Sequence, residues 1–186
     1  WRSGPSAPRS PPADPRVPAE IERVFLLRGH PEPMPAGETW RIEQGYLAPA
    51  AGAGSGDDAV LEGRLRRIER PDGSVRHVHT VKRGTGLVRE EVEREIDAAT
   101  VVREWPRTEG RRLSKVRTRV RVGDRTWEVD RFTTLPIVLA ECELPAADAP
   151  LAIPAWLAPW IDREVTHDPA FRNYELARRA GLVGGR

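Results

Sequence analysis

Charged residues recur at every second position in one segment of this chain after another. The rows are Glu20 and Glu22; Arg64 and Arg66; Glu91 and Glu93; Lys115, Arg117, Arg119 and Arg121; Glu128 and Asp130; and Glu141 and Glu143. The residues between them are apolar or small, such as Leu65, Val116 and Cys142. Because side chains two positions apart lie on the same face of a β-strand, this period predicts strands with one charged face and one apolar face.

The same alternation, interrupted by turn residues, predicts a mostly antiparallel sheet. Hairpin signals lie at Pro71-Asp72-Gly73, Gly84-Thr85-Gly86 and Gly123-Asp124. We expect eight strands, at residues 20–28, 39–48, 59–69, 75–83, 88–96, 112–122, 125–133 and 136–144.

Two helices are expected beside the sheet. Asp97 can cap a helix that runs to about Trp105. A last helix is predicted from about Pro169 to Ala180, with Gly181 at its end. The predicted fold class is therefore α+β, with β-structure predominating.

Composition limits the possible classes of protein. The chain has 186 residues, of which 39% are hydrophobic and 31% are charged, as in one globular domain. We expect the proline-rich residues 1–18 to be a disordered tail, residues 19–180 to form the domain and residues 181–186 to be a C-terminal tail. A single cysteine excludes an internal disulfide and a thiolate metal cluster.

Location and partners follow from the same composition. No apolar run is long enough to span a membrane and no secretion signal is visible, so a cytoplasmic protein without a membrane partner is expected. A net charge of +2 argues against nucleic-acid binding. The sequence leaves the oligomeric state open between monomer and homodimer.

The alternating charges allow two arrangements. Strand by strand, they are typical of a sheet whose charged face lies in water. Alternatively, eight antiparallel strands close into a barrel and the charged faces line its interior. Arginine and lysine side chains would then bind a multiply charged anion, and the glutamates beside it would require a divalent cation such as Mg²⁺ or Mn²⁺.

A series of short motifs favours the second arrangement. The first is Glu20-Ile21-Glu22-Arg23-Val24-Phe25-Leu26-Leu27, and the others in chain order are Gln44-Gly45-Tyr46-Leu47, Arg64-Leu65-Arg66, Thr80-Val81-Lys82, Arg89-Glu90-Glu91-Val92-Glu93, Thr108-Glu109-Gly110-Arg111-Arg112 with Lys115 and Arg117, Glu128-Val129-Asp130, Glu141-Cys142-Glu143, and Glu164-Val165-Thr166 with Asp168, Phe171 and Asn173. Together they resemble the CYTH family, the triphosphate tunnel metalloenzymes, in its short bacterial form. The resemblance extends from about Ala19 to about Arg179.

This resemblance implies a closed eight-stranded antiparallel β-barrel tunnel with a charged interior and helices packed on the outside. The implied activity is metal-dependent hydrolysis of a terminal phosphoanhydride bond in a small triphosphate, with Mg²⁺ or Mn²⁺. Inorganic tripolyphosphate is the expected substrate, because no nucleobase- or thiamine-binding pocket can be read from the sequence. A class IV adenylate cyclase and a thiamine or nucleoside triphosphatase are the alternatives within the family.

Site residues are assigned by their match to the family motifs. The expected metal ligands are Glu20, Glu22, Glu141 and Glu143. The expected phosphate-binding residues are Arg64, Arg66, Lys82, Lys115 and Arg117. Three acidic wall residues, Glu91, Glu93 and Asp130, are expected to act in catalysis by placing a second metal or the attacking water.

Val24 departs from the family signature, whose first strand reads Glu-x-Glu-x-Lys. By alternation with Glu20 and Glu22, the Val24 side chain should face the charged interior, where it supplies no charge to a phosphate. This departure keeps a third hypothesis open, a non-catalytic module that binds triphosphate or polyphosphate.

Overall fold

The structure, a computed structural model, describes residues 19–47, 63–83 and 88–184. Within these ranges the side chains of residues 19–20, 82–83, 88–91 and 184 are not described. The predicted proline-rich tail, residues 59–62 of the third predicted strand and the Gly84-Thr85-Gly86 turn lie outside the described residues.

Nine described strands form one antiparallel sheet. They are β1 (Ala19–Leu27), β2 (Glu38–Tyr46), β3 (Arg64–Glu69), β4 (Val75–Arg83), β5 (Val88–Glu95), β6 (Arg112–Val122), β7 (Arg125–Phe132), β8 (Val138–Glu143) and β9 (Ile161–Glu164). Their order in the sheet is β5-β4-β3-β2-β6-β7-β8-β1-β9. The prediction of a mainly β, antiparallel α+β fold is confirmed, and a strand lies within each of the eight predicted segments, give or take one residue.

The prediction of a closed eight-stranded barrel is wrong. The sheet has a ninth strand, β9, which pairs with β1 at Phe25–Leu27. β1 and β5 pair only over Ala19, Glu20 and Ile21. From Phe25 to Leu27, β1 pairs with β9 instead of continuing its contact with β5.

The alternating charged rows predicted from the sequence occupy positions on one face of this curved sheet. In an antiparallel pair, directly opposite residues project to the same side. Arg117 is opposite Asp130, and Glu22 is opposite Glu143. Continuing this register across the sheet also places Arg66 on this side, which we call the inner face.

Helix α2 (Asn173–Gly184) packs at one end of the inner face. Its Leu176 and Ala177 are fully buried against a cluster that includes the inner-face residues Leu113, Phe132 and Leu139. The prediction that the helices pack on the outside is therefore wrong for α2. The helix closes one end of the curved sheet, because the inner-face residues there are apolar rather than charged.

The predicted end of α2 at Gly181 is also wrong. The helix continues past this residue to Gly184. The glycine at position 181 serves close packing rather than helix termination. A Cβ at Gly181 would lie 2.2 Å from the carbonyl oxygen of Gly110. Residues 169–171 of the predicted helix form a separate 3₁₀ turn.

The outer face carries an apolar cluster on β1, β7 and β8. Trp127, Val129 and Cys142 are buried there, covered by Leu157 and other residues of the segment before β9. Helix α1 (Ala98–Glu104) begins where predicted, with the carboxylate of Asp97 accepting a hydrogen bond of 2.6 Å from the backbone N–H of Thr100. Among the described residues, neither helix is long and apolar enough to cross a bilayer.

Candidate functional site

A charged cavity of about 510 Å³ lies on the inner face. Seven strands contribute to its lining, and α2 adds one residue. The predicted site residues that line it are Glu22, Arg64, Arg66, Glu93, Lys115, Arg117, Glu141 and Glu143. Side chains from segments more than a hundred residues apart in the sequence thus line one cavity.

The remaining predicted site residues are placed differently. Asp130 is fully buried behind Lys115 and Arg117. For Glu20, Lys82 and Glu91 the structure describes the backbone but not the side chains. The backbone register places Lys82 opposite Glu91, as expected for two residues of neighbouring strands that share a face.

Strand β6 supplies a basic row that is paired with acids of β7 and β8. Lys115 Nζ donates to Asp130 Oδ2 at 2.5 Å, and Arg117 contacts both Asp130 oxygens at 2.7 Å. Arg117 also donates to Glu141 Oε2 at 2.8 Å and to Glu128. Because β7 and β8 follow β6 in the sheet, each cation meets carboxylates on its own face.

Burial makes the electrostatics of this group strong. Burial alone would raise the pKa of Asp130, but Arg117 and Lys115 hold it well below its usual range. Burial would lower the pKa of Arg117, but Asp130, with Glu141 and Glu128, raises it. Burial and the neighbouring Arg117 lower the pKa of Lys115. Asp130 therefore stays ionised and fixes both cations in place.

A second basic row, on β3, consists of Arg64 and Arg66. Burial, Arg64 and Arg117 together lower the pKa of Arg66 to about 10. The Nε atom of Arg66 is buried and has no hydrogen-bond partner within the described part of the chain. On its neighbour, Arg64 Nη2 lies 3.4 Å from the hydroxyl oxygen of Thr80, which in turn donates to Glu93 at 3.3 Å. The β3 row thus contributes to the cavity wall a half-buried guanidinium, that of Arg66, whose Nε is unpaired.

Carboxylates of β1 and β8 face these cations. Glu22 lies directly opposite Glu143, and Glu141 lies opposite Val24 on the same pair of strands. Burial first, and then the charge of Asp130, raise the pKa of Glu141 to about 7, and Glu22 adds to this effect. A carboxyl group whose pKa is raised by neighbouring carboxylates is a favourable setting for a cation.

These carboxylates fit a hard divalent cation by their chemistry. Carboxylate oxygens are the protein ligands that Mg²⁺ and Mn²⁺ prefer. Glu22, Glu141 and Glu143 line the same cavity. In the described ranges, no three side chains of His, Cys, Asp or Glu are grouped closely enough to hold an ion. The three glutamates therefore share a cavity without forming a ready-made coordination sphere.

Val24 lies on the inner face, as the alternation predicts. It is opposite Glu141 and packs against the apolar cluster under α2. It lines a second cavity, of about 270 Å³, which also contains Tyr46, Phe171 and Tyr174. We call this the aromatic cavity. The rings of Tyr46 and Tyr174 meet edge to face at 5.2 Å.

The two cavities share a wall. Glu22, Arg64, Glu141 and Asn173 line both of them. The aromatic cavity is not predictable from local sequence patterns, because its rings come from β2 and from the region around α2, which are far apart in the chain.

Sequence reasoning missed several residues that line the charged cavity. Arg119 and Glu128, whose side chains form a 3.0 Å contact, belong to the alternating rows and were identifiable by their parity. Trp40 also lines the cavity, with the Arg119 guanidinium 4.5 Å from its ring centre. Asn173, at the start of α2, belongs to the last family motif, but it carries no strand pattern that could place it in the cavity.

The sequence is 35% identical over 164 residues to an inorganic triphosphatase of Nitrosomonas europaea, a match that covers 85% of this chain and 96% of that protein. A crystal structure named as an inorganic triphosphatase matches with 30% identity and a TM-score of 0.56, over 86% of this chain and 94% of the other. A crystal structure named as a hypothetical protein matches with 31% identity and the same TM-score, over 86% and 97%. No family model matches the sequence.

Proposed function

Because this chain belongs to the CYTH family, the triphosphate tunnel metalloenzymes, we propose that it hydrolyses a terminal phosphoanhydride bond of a triphosphate in the charged cavity. Inorganic tripolyphosphate is the proposed substrate. The relative that is 35% identical is named for this activity, and its match extends over nearly its whole length.

The observation that carries the proposal is the state of Arg66. Its half-buried guanidinium is near two other cations, Arg64 and Arg117, which lower its pKa, and its Nε has no partner among the described residues. A guanidinium held near like charges with an unpaired donor costs free energy, and a bound anion would recover part of it. A phosphate oxygen suits this donor, because guanidinium N–H groups match the geometry of phosphate.

The charge balance of the cavity supports a metal-bound anion. The described lining contains six basic and six acidic side chains. A bare polyanion would meet the carboxylates as well as the guanidinium groups, and the repulsion would offset much of the attraction. Mg²⁺ or Mn²⁺ held by Glu22, Glu141 and Glu143, with Glu20 as the fourth proposed ligand, would remove that repulsion.

The chain's own residues would then act mainly by positioning. A bound divalent cation would polarise phosphate oxygens and offset the charge that develops on them. Arg64, Arg66, Lys115 and Arg117, with Lys82, would bind phosphate oxygens and hold the anhydride in one orientation. The cations would stabilise the transition state without a nucleophilic side chain.

The proposed acidic residues divide into two roles. Both oxygens of Asp130 are occupied by Lys115 and Arg117, and its pKa is held low, so Asp130 is proposed to position these cations rather than to accept a proton. Glu93 lines the cavity and accepts from Thr80. Glu93, with Glu91, is the better candidate to orient the attacking water.

The aromatic cavity favours a second candidate, a triphosphate ester with an organic group. Its apolar lining, including Val24 and Val165, adjoins the charged cavity through a shared wall. A ring attached to one end of a triphosphate would find aromatic side chains there. This arrangement fits a thiamine or nucleoside triphosphatase or a class IV adenylate cyclase better than the sequence alone indicated.

One assay separates these functions. Phosphate release is measured from tripolyphosphate, ATP and thiamine triphosphate with Mg²⁺ or Mn²⁺, together with the formation of cyclic AMP and pyrophosphate from ATP. The proposal expects the highest kcat/KM with tripolyphosphate. A preference for an organic triphosphate would favour the second candidate. Tight binding of tripolyphosphate by calorimetry, without release from any compound, would show a binding module instead.

A further inference from the structure

Asn173 is the one residue in the described lining of the charged cavity that comes from a helix. It is the first residue of α2, and it lies in the wall between the charged cavity and the aromatic cavity. The helix behind it is fixed by Leu176 and Ala177, which are fully buried in the inner-face cluster. The side chain of Asn173 is thus held at the junction of the two cavities by a well-packed element.

One end of the Asn173 amide already has a partner. Its Oδ1 lies 3.5 Å from Nζ of Lys115, which is 3% exposed and also contacts Asp130. An ammonium group donates and cannot accept, so it identifies this end of the amide as the oxygen. The Nδ2 group, with its two N–H donors, must then point away from Lys115.

We infer that Asn173 is a substrate-binding residue, whose Nδ2 donates to an oxygen of the bound triphosphate at the junction of the two cavities. This inference rests on the proposed function and names a further residue of the same site. A neutral donor at this position would contact the anion without adding to the repulsion among Arg64, Arg66 and Arg117. It would also make binding depend on the docking of α2.

A structural alternative is that Asn173 only holds Lys115 in place. The two roles differ in what an aspartate would do at this position. An Asn173→Asp substitution keeps an oxygen facing Lys115 and strengthens that contact, but it removes both donors and adds a negative charge beside the phosphate. An Asn173→Ala substitution removes both the contact with Lys115 and the donors.

The test is calorimetric binding of inorganic tripolyphosphate, together with KM and kcat for phosphate release with Mg²⁺. For Asn173→Ala we expect the Kd to rise about tenfold, because one hydrogen bond to a charged ligand is lost. For Asn173→Asp we expect a rise of about a hundredfold, because the new carboxylate also repels the phosphate. The matched control is Glu175→Gln, which removes the exposed Glu175–Arg178 ion pair of the same helix and should leave Kd unchanged. Urea unfolding of each variant checks that α2 remains docked.

The inference would be overturned in favour of the Lys115-holding role if Asn173→Asp bound tripolyphosphate as tightly as the wild type. It would be overturned in the same way if Asn173→Asp bound no more weakly than Asn173→Ala. Unchanged binding by both variants would overturn it as well. In either case a wild-type protein that binds and hydrolyses tripolyphosphate leaves the proposed function intact. A wild-type protein that does neither would contradict the proposed function and this inference with it.

Discussion

Val24 interrupts a row of charged side chains with an isopropyl group. It stands between Glu22 and the apolar cluster under α2, opposite Glu141, whose pKa is raised to about 7. At this residue the inner face changes from charged to apolar. Val24 therefore leaves the phosphate site without the positive charge of the signature lysine, and its side chain extends the lining of the aromatic cavity.

Restoring a cation at this position tests the first of these effects. We expect Val24→Lys to raise kcat for tripolyphosphate about tenfold, because one charge-assisted contact in the transition state contributes roughly 1.5–3 kcal/mol and burying the new ammonium offsets part of it. Val24→Met, similar in length but uncharged, is the control. Phosphate release at saturating substrate is the measurement, and equal rates in the two variants would show that the missing charge is not limiting.

Glu141 gives the protein a pH-dependent stability. Its pKa is raised from an ordinary 4.5 to about 7, so the native state keeps the proton at pH values where the unfolded chain has lost it. The contribution of protonated Glu141 to the free energy of unfolding is complete below about pH 4.5 and is lost as the pH rises through about 7.

Glu141→Gln should remove this dependence. Between about pH 4.5 and pH 8, without metal, the free energy of unfolding of the wild type should fall relative to that of the variant by about 1–3 kcal/mol. Urea unfolding at several pH values measures the difference. Parallel curves for the two proteins would contradict the assigned pKa shift.

At the scale of elements, α2 is the part that departs furthest from expectation. It was expected on the outside of the sheet, but it closes one end of the inner face and supplies Asn173 to the cavity wall. Its close approach to the turn before β6 depends on Gly181, whose missing Cβ leaves room for the carbonyl of Gly110.

Gly181→Ala separates packing from helix propensity. Alanine favours a helix by about 1 kcal/mol over glycine, but here its Cβ would lie 2.2 Å from the Gly110 oxygen and 2.7 Å from the carbonyl carbon, so backbone must move. We expect a net loss of about 1–3 kcal/mol in the free energy of unfolding. Leu182→Ala, at a position that is 76% exposed, is the control on the same helix. A more stable Gly181→Ala protein would show that α2 is not docked as described.

The elements that local pattern could predict are the long strands. Alternation extends over six or more residues in each of β1 to β8, and it also gives the correct face for Glu22, Arg66 and Arg117. β9 has only four residues, three of them exposed, and it forms because the free edge of β1 pairs with it. The place of α2 and the aromatic cavity depend on contacts between distant segments, such as Tyr46 with Tyr174, which periodicity does not encode.

For the whole molecule, the central claim is that the inner face is built to bind a metal-bound triphosphate. Four strands contribute carboxylates and two contribute the basic rows, so that no single strand carries the site. The network among Lys115, Arg117 and Asp130 holds cations close together before any ligand arrives. Folding thus supplies much of the free energy that is needed to hold these like charges close together.

The most direct test is calorimetric titration of tripolyphosphate with Mg²⁺ into the wild type, Arg66→Gln and Arg67→Gln. Arg67 is the next residue of β3, projects to the other side and pairs with Glu69, so its loss controls for removing one positive charge from the chain. The account predicts that Arg66→Gln weakens binding about tenfold to a hundredfold, while Arg67→Gln leaves it within about twofold of the wild type. Equal effects of the two substitutions would contradict an inner-face phosphate site.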